Sequence, residues 1–516
     1  MIKVELPYKK PIKSLVAGTI NSLSLLNYQI TETVFSNLKS MKKLFIFLLI
    51  LGTPIIFFAQ TVLVSEPLPL KNGEGYNIIG KLKGRYLLYQ NTLEGRDEIS
   101  GFDAQMNLKW TKELEFDHKR AKIIDLIASK NDFTFIYQYQ AKGRAVLKAH
   151  KYDAAANLLD SVTILTHKST YYETNLEIVQ SKDKSKLLLY QIEDQSKVKA
   201  ISFDLDSMKV LWTNMFLPAG LAFQRDFVQT LVTNKGQMYF ILGKDNRKNK
   251  RDDHVYDIYY GNEESNEKGI TFFTFPMDKK LTFDVVFTYD NLNKRIVAGG
   301  LYSEKTRTKS MGYFYFSISP ENPDDYRLIF EPFDDEFVST FLGKQVAASK
   351  GLNEAVVQEI ILRRDGGILL VGEHAVQSER QNVGAGSLGS TVGHSYYDYY
   401  YDDLFVISIH PDGQTHWETI LHKKQYSYDD GANYSSYLLL KTATSLRFVF
   451  NDEIKYENTV SEYVLRGDGE YDRNSILNTK NKKLRLLFRK GLQVASNEYI
   501  VPSEHRNKLS LVNIKY

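Results

Sequence analysis

The chain has 516 residues, 66 lysines and arginines against 62 aspartates and glutamates, a formal charge of +4, and no cysteine. The absent cysteine excludes disulfides, thiolate metal sites and a cysteine nucleophile. The positive excess belongs to the first 59 residues, whose seven lysines and two glutamates give a net of +5; residues 60–516 are left at −1 and give no support for a nucleic-acid partner.

In chain order, residues 1–40 read as translated upstream sequence or as a cytoplasmic extension. Met41, Lys42 and Lys43 then form a basic start, Leu44 to Ala59 an apolar run of 16 residues, and Ala59-Gln60 a small-residue cut site. This pattern is that of a secretory signal peptide. The run is shorter than the roughly 20 residues of a membrane span, and Pro54 sits near its end. The alternative is an uncleaved hydrophobic helix, through which alone the membrane would be a partner. The expectation is an exported protein, periplasmic or on the surface of a Gram-negative-type bacterium, with one domain over residues 60–516.

Past Gln60, short runs rich in Val, Ile, Leu, Phe, Tyr and Thr read as strands, for example Tyr86–Gln90, Phe133–Gln138, Leu187–Gln191 and Leu404–Ile409. Helical periodicity is nearly absent; the one candidate runs from Gly343 to about Glu359. The strands come in hairpins whose first strands begin near residues 85, 133, 186, 237, 295, 367, 446 and 498. The second strand of each often ends in an acidic turn: Asp103, Asp153, Asp204, Asp278, Asp412 and Asp468. Asp103 and Asp153 lie 50 residues apart, and Asp153 and Asp204 lie 51 apart. A period of this length with four strands per unit predicts an all-β fold, a β-propeller.

Trp110, Trp212 and Trp417 follow acidic turns by seven, eight and five residues. A large aromatic at one place in the repeat is suited to docking wedge-shaped blades. The segments Phe102-Asp-Ala-Gln-Met-Asn-Leu-Lys-Trp110 and Ile409-His-Pro-Asp-Gly-Gln-Thr-His-Trp417 resemble the Asp-(Gly)-…-Trp turns of PQQ-like and WD40-like propeller repeats. The chain lacks the Gly-His and Trp-Asp pair of a WD40 repeat and the Gly-Trp spacing of a quinoprotein dehydrogenase. The resemblance implies an architecture and brings no activity and no cofactor. Eight hairpins predict eight blades, with seven as the alternative, because insertions blur the repeat between residues 240 and 370. The last unit supplies only three strands, and Thr61-Val-Leu-Val-Ser65 is the natural fourth, closing the ring.

Function is sought in the loops. Two insertions are expected between second and third strands, at Lys244–Glu264 with Tyr256, Tyr259 and Tyr260, and at Ser378–Asp403. The latter carries a Gly384–Gly389 stretch and then Tyr396, Tyr397, Asp398, Tyr399, Tyr400, Tyr401, Asp402 and Asp403. A third segment, Gln425–Tyr437, has Tyr426, Tyr428, Asp429 and Asp430. By propeller topology all three open on one face. Tyrosine with Ser, Gly and Asn makes rigid contact area with adaptable hydrogen bonds, and Tyr with Asp suits sugars, rings on the apolar face and carboxylates on hydroxyls. The reading is a binding or scaffolding propeller for an envelope protein or glycan. The alternative is a carbohydrate-active enzyme, a glycoside hydrolase or lyase, using Asp398, Asp402 and Asp403.

Weaker motifs lead nowhere firm. His410, His416 and His422 share a spacing of six, but a turn interrupts them. Asp468, Glu470 and Asp472 lack the glycine and terminal glutamate of a calcium loop. Arg466-Gly-Asp468 and Arg363–Gly367 read as turns. Gly384–Gly389 is no nucleophile elbow. No metal site is expected.

Overall fold

The computed structural model describes residues 60–168, 176–247, 252–304, 309–380, 396–452, 454, 459–479 and 484–516. The predicted signal segment, its hydrophobic helix and the Gly384–Gly389 stretch lie outside the described residues.

The described chain forms eight antiparallel sheets arranged as propeller blades. Blades 1 to 7 span 75–114, 122–168, 177–216, 227–276, 281–332, 355–421 and 438–478. Blade 8 takes three strands from 492–515 and its outermost strand from Thr61–Val64, which pairs with the last strand in the register Thr61↔Lys515 to Val64↔Val512. Eight blades are therefore present rather than seven, and the chain closes its own ring. Each hairpin read from the sequence is the second and third strand of one blade, as at Arg85–Asn91 with Asp97–Phe102 and Glu498–His505 with Lys508–Lys515. The first strands of blades 4, 5 and 6 pack side by side around the centre.

The apolar runs are continuous because each central strand is buried on both sides. In Arg85–Asn91, Leu87 and Tyr89 face blade 2, while Tyr86 and Leu88 face blade 8. In Lys186–Glu193, Leu187 and Leu189 face blade 2, and Leu188 and Tyr190 face blade 4. Side chains alternate across a strand, so a strand sandwiched between two neighbours needs apolar residues at every position. The eight core clusters each lie at one joint between blades. Burying one such side chain is worth about 1.5–3 kcal/mol, so the joints hold the ring.

Four of the six acidic turns share one geometry; the Asp204 turn differs, with positive φ at Met208. In 103–107, 153–157, 410–414 and 466–470, the first residue's N–H donates to the fifth residue's carbonyl. The fourth residue has positive φ: Met106, Ala156, Gly413 and Gly469. The aspartate closes the turn from its side chain: Asp103 Oδ1 accepts from Gln105 N and Asn107 N, both at 2.9 Å, and Asp468 Oδ1 accepts from Glu470 N at 3.1 Å. Asp suits this place because its short carboxylate reaches the backbone two residues on. Asp278 does not belong to the set; it lies in the connector after the last strand of blade 4.

All three tryptophans stand near the start of a fourth strand. Trp212 Nε1 donates to Gly236 O in blade 4 (2.9 Å), and Trp417 Nε1 to Gly467 O in blade 7 (3.0 Å). Trp110 packs on the joint of blades 1 and 2.

The helix expected over Gly343–Glu359 is displaced. The helix is Asp335–Leu342, capped by Asp334 Oδ1 accepting from Phe337 N at 2.7 Å and ended by Gly343 at φ 62°. Gly343 is thus a stop, not a start. Phe337, Val338 and Phe341 are buried against blades 5 and 6, and Ala355–Leu362 is a strand.

Candidate functional site

The turns between second and third strands and the connectors between blades open on one face of the ring. Blade 6 extends beyond it. Its second strand, Ile368–Arg380, and third strand, Tyr396–Ile409, are the longest of their kind, and they stay paired from Ile368↔Ile409 out to Arg380↔Tyr396. The fourth strand, Thr415–Leu421, covers only Leu404–Ile409. The outer half of the third strand pairs instead with Gln425–Tyr428, in the register Asp398↔Tyr428 to Tyr401↔Gln425. The Tyr396–Asp403 segment is therefore a strand and not a loop. With its two neighbours it makes a three-stranded arm.

Alternation gives the arm two unlike faces. One is turned into the molecule: Gln425 and Ser427 are buried, Tyr399 is nearly so, and Gln425 Nε2 donates to Asn451 O in blade 7 at 2.7 Å. Tyr397 and Tyr401 belong to this side, and the Arg489 guanidinium lies 5.2 Å over the Tyr401 ring. The other face is open. Tyr396 and Tyr400 are each 38% exposed, Tyr426 44% and Tyr428 61%. Their rings form a series, Tyr400 to Tyr426 at 5.1 Å and Tyr426 to Tyr428 at 6.3 Å between centroids. Arg380 lies over Tyr396 (5.7 Å) and Tyr428 (5.5 Å). Its Nη2 donates to Asp429 Oδ2 at 2.6 Å, and its Nε is 3.2 Å from Asp398 Oδ1. Tyr426 Oη donates to Asp398 Oδ1 at 2.9 Å. Asp429 also caps the arm by accepting from Tyr397 N at 2.9 Å, and Asp430 Oδ1 holds the following loop through Ala432 N.

The first tyrosine cluster is elsewhere. Tyr256, Tyr259 and Tyr260 stand in the third strand of blade 4, Val255–Gly261, past the long connection that follows Lys244. Tyr256 is 3% and Tyr259 5% exposed, and Tyr260 Oη accepts from Gln237 Nε2 at 2.7 Å. These rings fill joints between blades and do not share a surface with the arm's open tyrosines.

At the foot of the arm a cleft of about 810 Å³ opens between blades 6 and 7. Asp402 and Asp403 both line it, facing His374, His422, Lys424, Asp452 and Arg473. Asp403 Oδ2 accepts from His422 Nδ1 at 2.8 Å and its Oδ1 from Lys423 N at 3.0 Å. Asp402 Oδ2 lies 3.5 Å from His374 Nδ1 and Oδ1 accepts from Gln425 N at 3.3 Å. The Asp402 carboxylate holds the His374 imidazole above its ordinary value, against the opposing effect of burial. Arg473 Nη2 donates to Asp452 Oδ1 at 2.6 Å. Beneath the cleft lies a fully buried ion pair, Lys423 Nζ to Glu373 Oε1 at 2.7 Å. Lys423 Nζ also donates to Tyr401 O (2.7 Å) and Gln425 Oε1 (3.0 Å), and burial pushes the ammonium below its ordinary value.

Arg380, His374, Lys424, Asp452 and Arg473 carry no signal in the sequence, and His422 stands out there only for its spacing from His410 and His416. Arg380 and His374 lie on alternate positions of the strand opposite the tyrosines, and that signal becomes readable only once the register is known. The three spaced histidines do not converge: His410 stacks on His416 with centroids 4.5 Å apart, while His422 pairs with Asp403. Asp472 pairs with Arg466, and Asp468 closes its own turn. Among the described residues, no cluster of three or more His, Asp or Glu side chains has metal-ligating geometry.

No family model and no curated protein matches the chain. Solved structures resemble it only distantly. The WD40 domain of SCAP from fission yeast aligns with a TM-score of 0.38 and 8% identity, over 89% of this chain and 98% of that one. Sqt1 of Saccharomyces cerevisiae gives 0.40 and 9%, over 87% and 99%. Dipeptidyl peptidase 4 of Porphyromonas gingivalis gives 0.41 and 10%, over 83% and 56%. The chain is an eight-bladed β-propeller, and the likeness extends to architecture alone.

Proposed function

We propose that this chain is an exported, non-catalytic binding or scaffolding propeller whose contact surface is the open face of the blade 6 arm, and whose partner is an envelope protein or a glycan. The observation behind this reading is the arm's ring series, Tyr396, Tyr400, Tyr426 and Tyr428, held on a three-stranded sheet and clamped by Arg380. Exposed aromatic rings in contiguous array mark recognition surfaces more often than chance placement does. A sheet that fixes them loses little conformational freedom on binding. Export rests on the signal-like segment 41–59, with cleavage before Gln60, one residue ahead of the ring-closing strand.

The enzyme reading draws on Asp402 and Asp403 sharing one cleft. Each of the candidate carboxylates is already engaged: Asp398 by Tyr426 and Arg380, Asp402 by His374 and a backbone N–H, Asp403 by His422 and a backbone N–H. A general acid must bring a proton of its own, whereas these carboxylates are placed as acceptors with lone pairs left over for hydroxyls, an arrangement that suits holding better than turnover.

The test is a glycan and envelope-protein binding screen with purified residues 60–516, repeated with the Tyr400→Ala/Tyr426→Ala/Tyr428→Ala variant. Binding that the variant loses while its melting temperature is unchanged supports the reading. Equal binding by both forms removes the arm as the contact surface, and product release from a bound saccharide replaces the binding module with an enzyme.

A further inference from the structure

The cleft at the arm's foot is not a separate feature. Alternation along the second strand places His374, Val376, Ser378 and Arg380 on one face, and along the third strand Tyr396, Asp398, Tyr400 and Asp402. Lys424 precedes Tyr426 and Tyr428 on the same alternation. The ring series therefore runs directly down to His374, Asp402 and Lys424, which are walls of the cleft.

The cleft has the size of a small-molecule pocket, about 810 Å³. Each of its aspartates has a nitrogen partner: Asp402 with His374, Asp403 with His422, Asp452 with Arg473. A surplus of carboxylates would suit a cationic ligand, and a surplus of Arg and Lys an anionic one. Three aspartates facing Arg473, Lys424 and two imidazoles instead offer acceptors and N–H donors side by side, with no surplus of one kind, which matches vicinal hydroxyls. One wall is apolar, made by Phe341 and Leu342 at the end of the helix, with the Phe341 ring 6.1 Å from His374.

We infer that the cleft takes one unit of an uncharged oligosaccharide, hydroxyl edges to the Asp–His and Asp–Arg pairs and an apolar face to Leu342, which rests on the buried Phe341, with the following units laid on Tyr400, Tyr426 and Tyr428. A glycan is the polymer whose every unit presents both a hydroxyl edge and an apolar face, as this continuous surface demands. The inference rests on the arm being the contact surface and narrows its partner.

The experiment titrates residues 60–516 by calorimetry with chito-, cello-, manno- and galacto-oligosaccharides, each as disaccharide and hexasaccharide, and with a uronic-acid oligosaccharide. The cleft variants are Asp452→Asn and Lys424→Ala, and the ring variant is Tyr426→Ala/Tyr428→Ala, with melting temperature recorded for each. Two cleft variants are used because Asp452 also accepts from Ser461. The expected result is a neutral saccharide that both cleft variants bind about tenfold more weakly at either length, as the loss of one well-placed hydrogen-bonding group gives. The ring variant should weaken the hexasaccharide alone. If the ring variant loses the hexasaccharide while folded cleft variants bind as wild type, the cleft inference falls and the arm reading survives. A preference for the uronic-acid saccharide overturns the uncharged ligand. A protein partner with no saccharide binding overturns the glycan and leaves the arm. Unchanged binding by every variant removes both.

Discussion

Blades 4 and 6 carry nearly the same text on their third strands and put it to opposite use. Val255–Gly261 and the outer half of Tyr396–Ile409 are both tyrosine-rich and Asp-punctuated. In blade 4 the strand has a neighbour on each side, Met238–Lys244 and Thr271–Pro276, and a blade above and below, so Tyr256 and Tyr259 are core. In blade 6 the same kind of strand outruns its own blade. It finds Gln425–Tyr428 as an edge partner but, among the described residues, nothing over its outer face, and four rings remain exposed. Composition chose the strand; the number of layers around it chose burial.

That comparison is sharpened first by truncation. Tyr256→Ala should cost about 3–5 kcal/mol in chemical unfolding, as large aromatic cavities do. A cost under about 1 kcal/mol would mean the blade 4 strand is not packed as described. Second, the arm's foot depends on the buried Lys423–Glu373 pair. Lys423→Ala should cost about 3–5 kcal/mol by stranding Glu373, and Lys423→Met with Glu373→Leu much less, because replacing both charges removes the desolvation penalty. Equal losses would show that packing, not charge, fixes the foot. Third, removing residues 60–65 opens blade 8 along its last strand. The half-buried Val62, Leu63 and Val64 together predict a loss of about 3 kcal/mol, seen in denaturant midpoint and in association through the exposed edge.

Fourth, two histidines give opposite pH signs. His374 is raised by Asp402, so its folded value lies above the unfolded one near 6.5. Its stabilisation is present below pH 6.5 and is lost as pH rises through the folded value. His150, buried against Tyr137 at 2.7 Å, is lowered chiefly by burial, so its contribution is present above pH 6.5 and is lost on acidification. The stability gap between wild type and His374→Gln should shrink as pH rises from 6.5; a gap that widens would reverse the assignment. The smallest effect is Tyr428→Ala, within about 0.5 kcal/mol of wild type because the ring covers no core.

Much of the ring was legible. A strand between two blades is apolar on both faces, which is why Leu187-Leu-Leu-Tyr-Gln191 stands out without a helix-like period. The acidic turns were legible because one backbone geometry recurs, closed by an aspartate at its first place in 103–107 and 153–157 and at its third in 410–414 and 466–470. The closing strand was legible from the one strand missing in the last, three-stranded unit at the C-terminus. The helix was misplaced because Gly343 was taken as its start, although Asp334 with Asp335 and Glu336 marks a start eight residues earlier and Gly343 is the stop. The arm was not legible. Whether Tyr396–Tyr401 is loop or strand turns on the long pairing with Ala375–Arg380 and on Gln425–Tyr428 returning to its edge, and neither is a local property. The cleft was hidden for the same reason: its walls come from segments up to 132 residues apart, Phe341 to Arg473.

The central claim, that the arm's outer face is the contact surface and the blade 4 tyrosines are not, is tested most directly by mass-spectrometric mapping of a tyrosine-selective label on residues 60–516, alone and with the bound partner. The account predicts labelling of Tyr396, Tyr400, Tyr426 and Tyr428 in the free protein, protection of these rings in the complex, and no labelling of Tyr256 or Tyr259 in either. Arm tyrosines that label equally in both states, with protection appearing elsewhere on the ring, would contradict it.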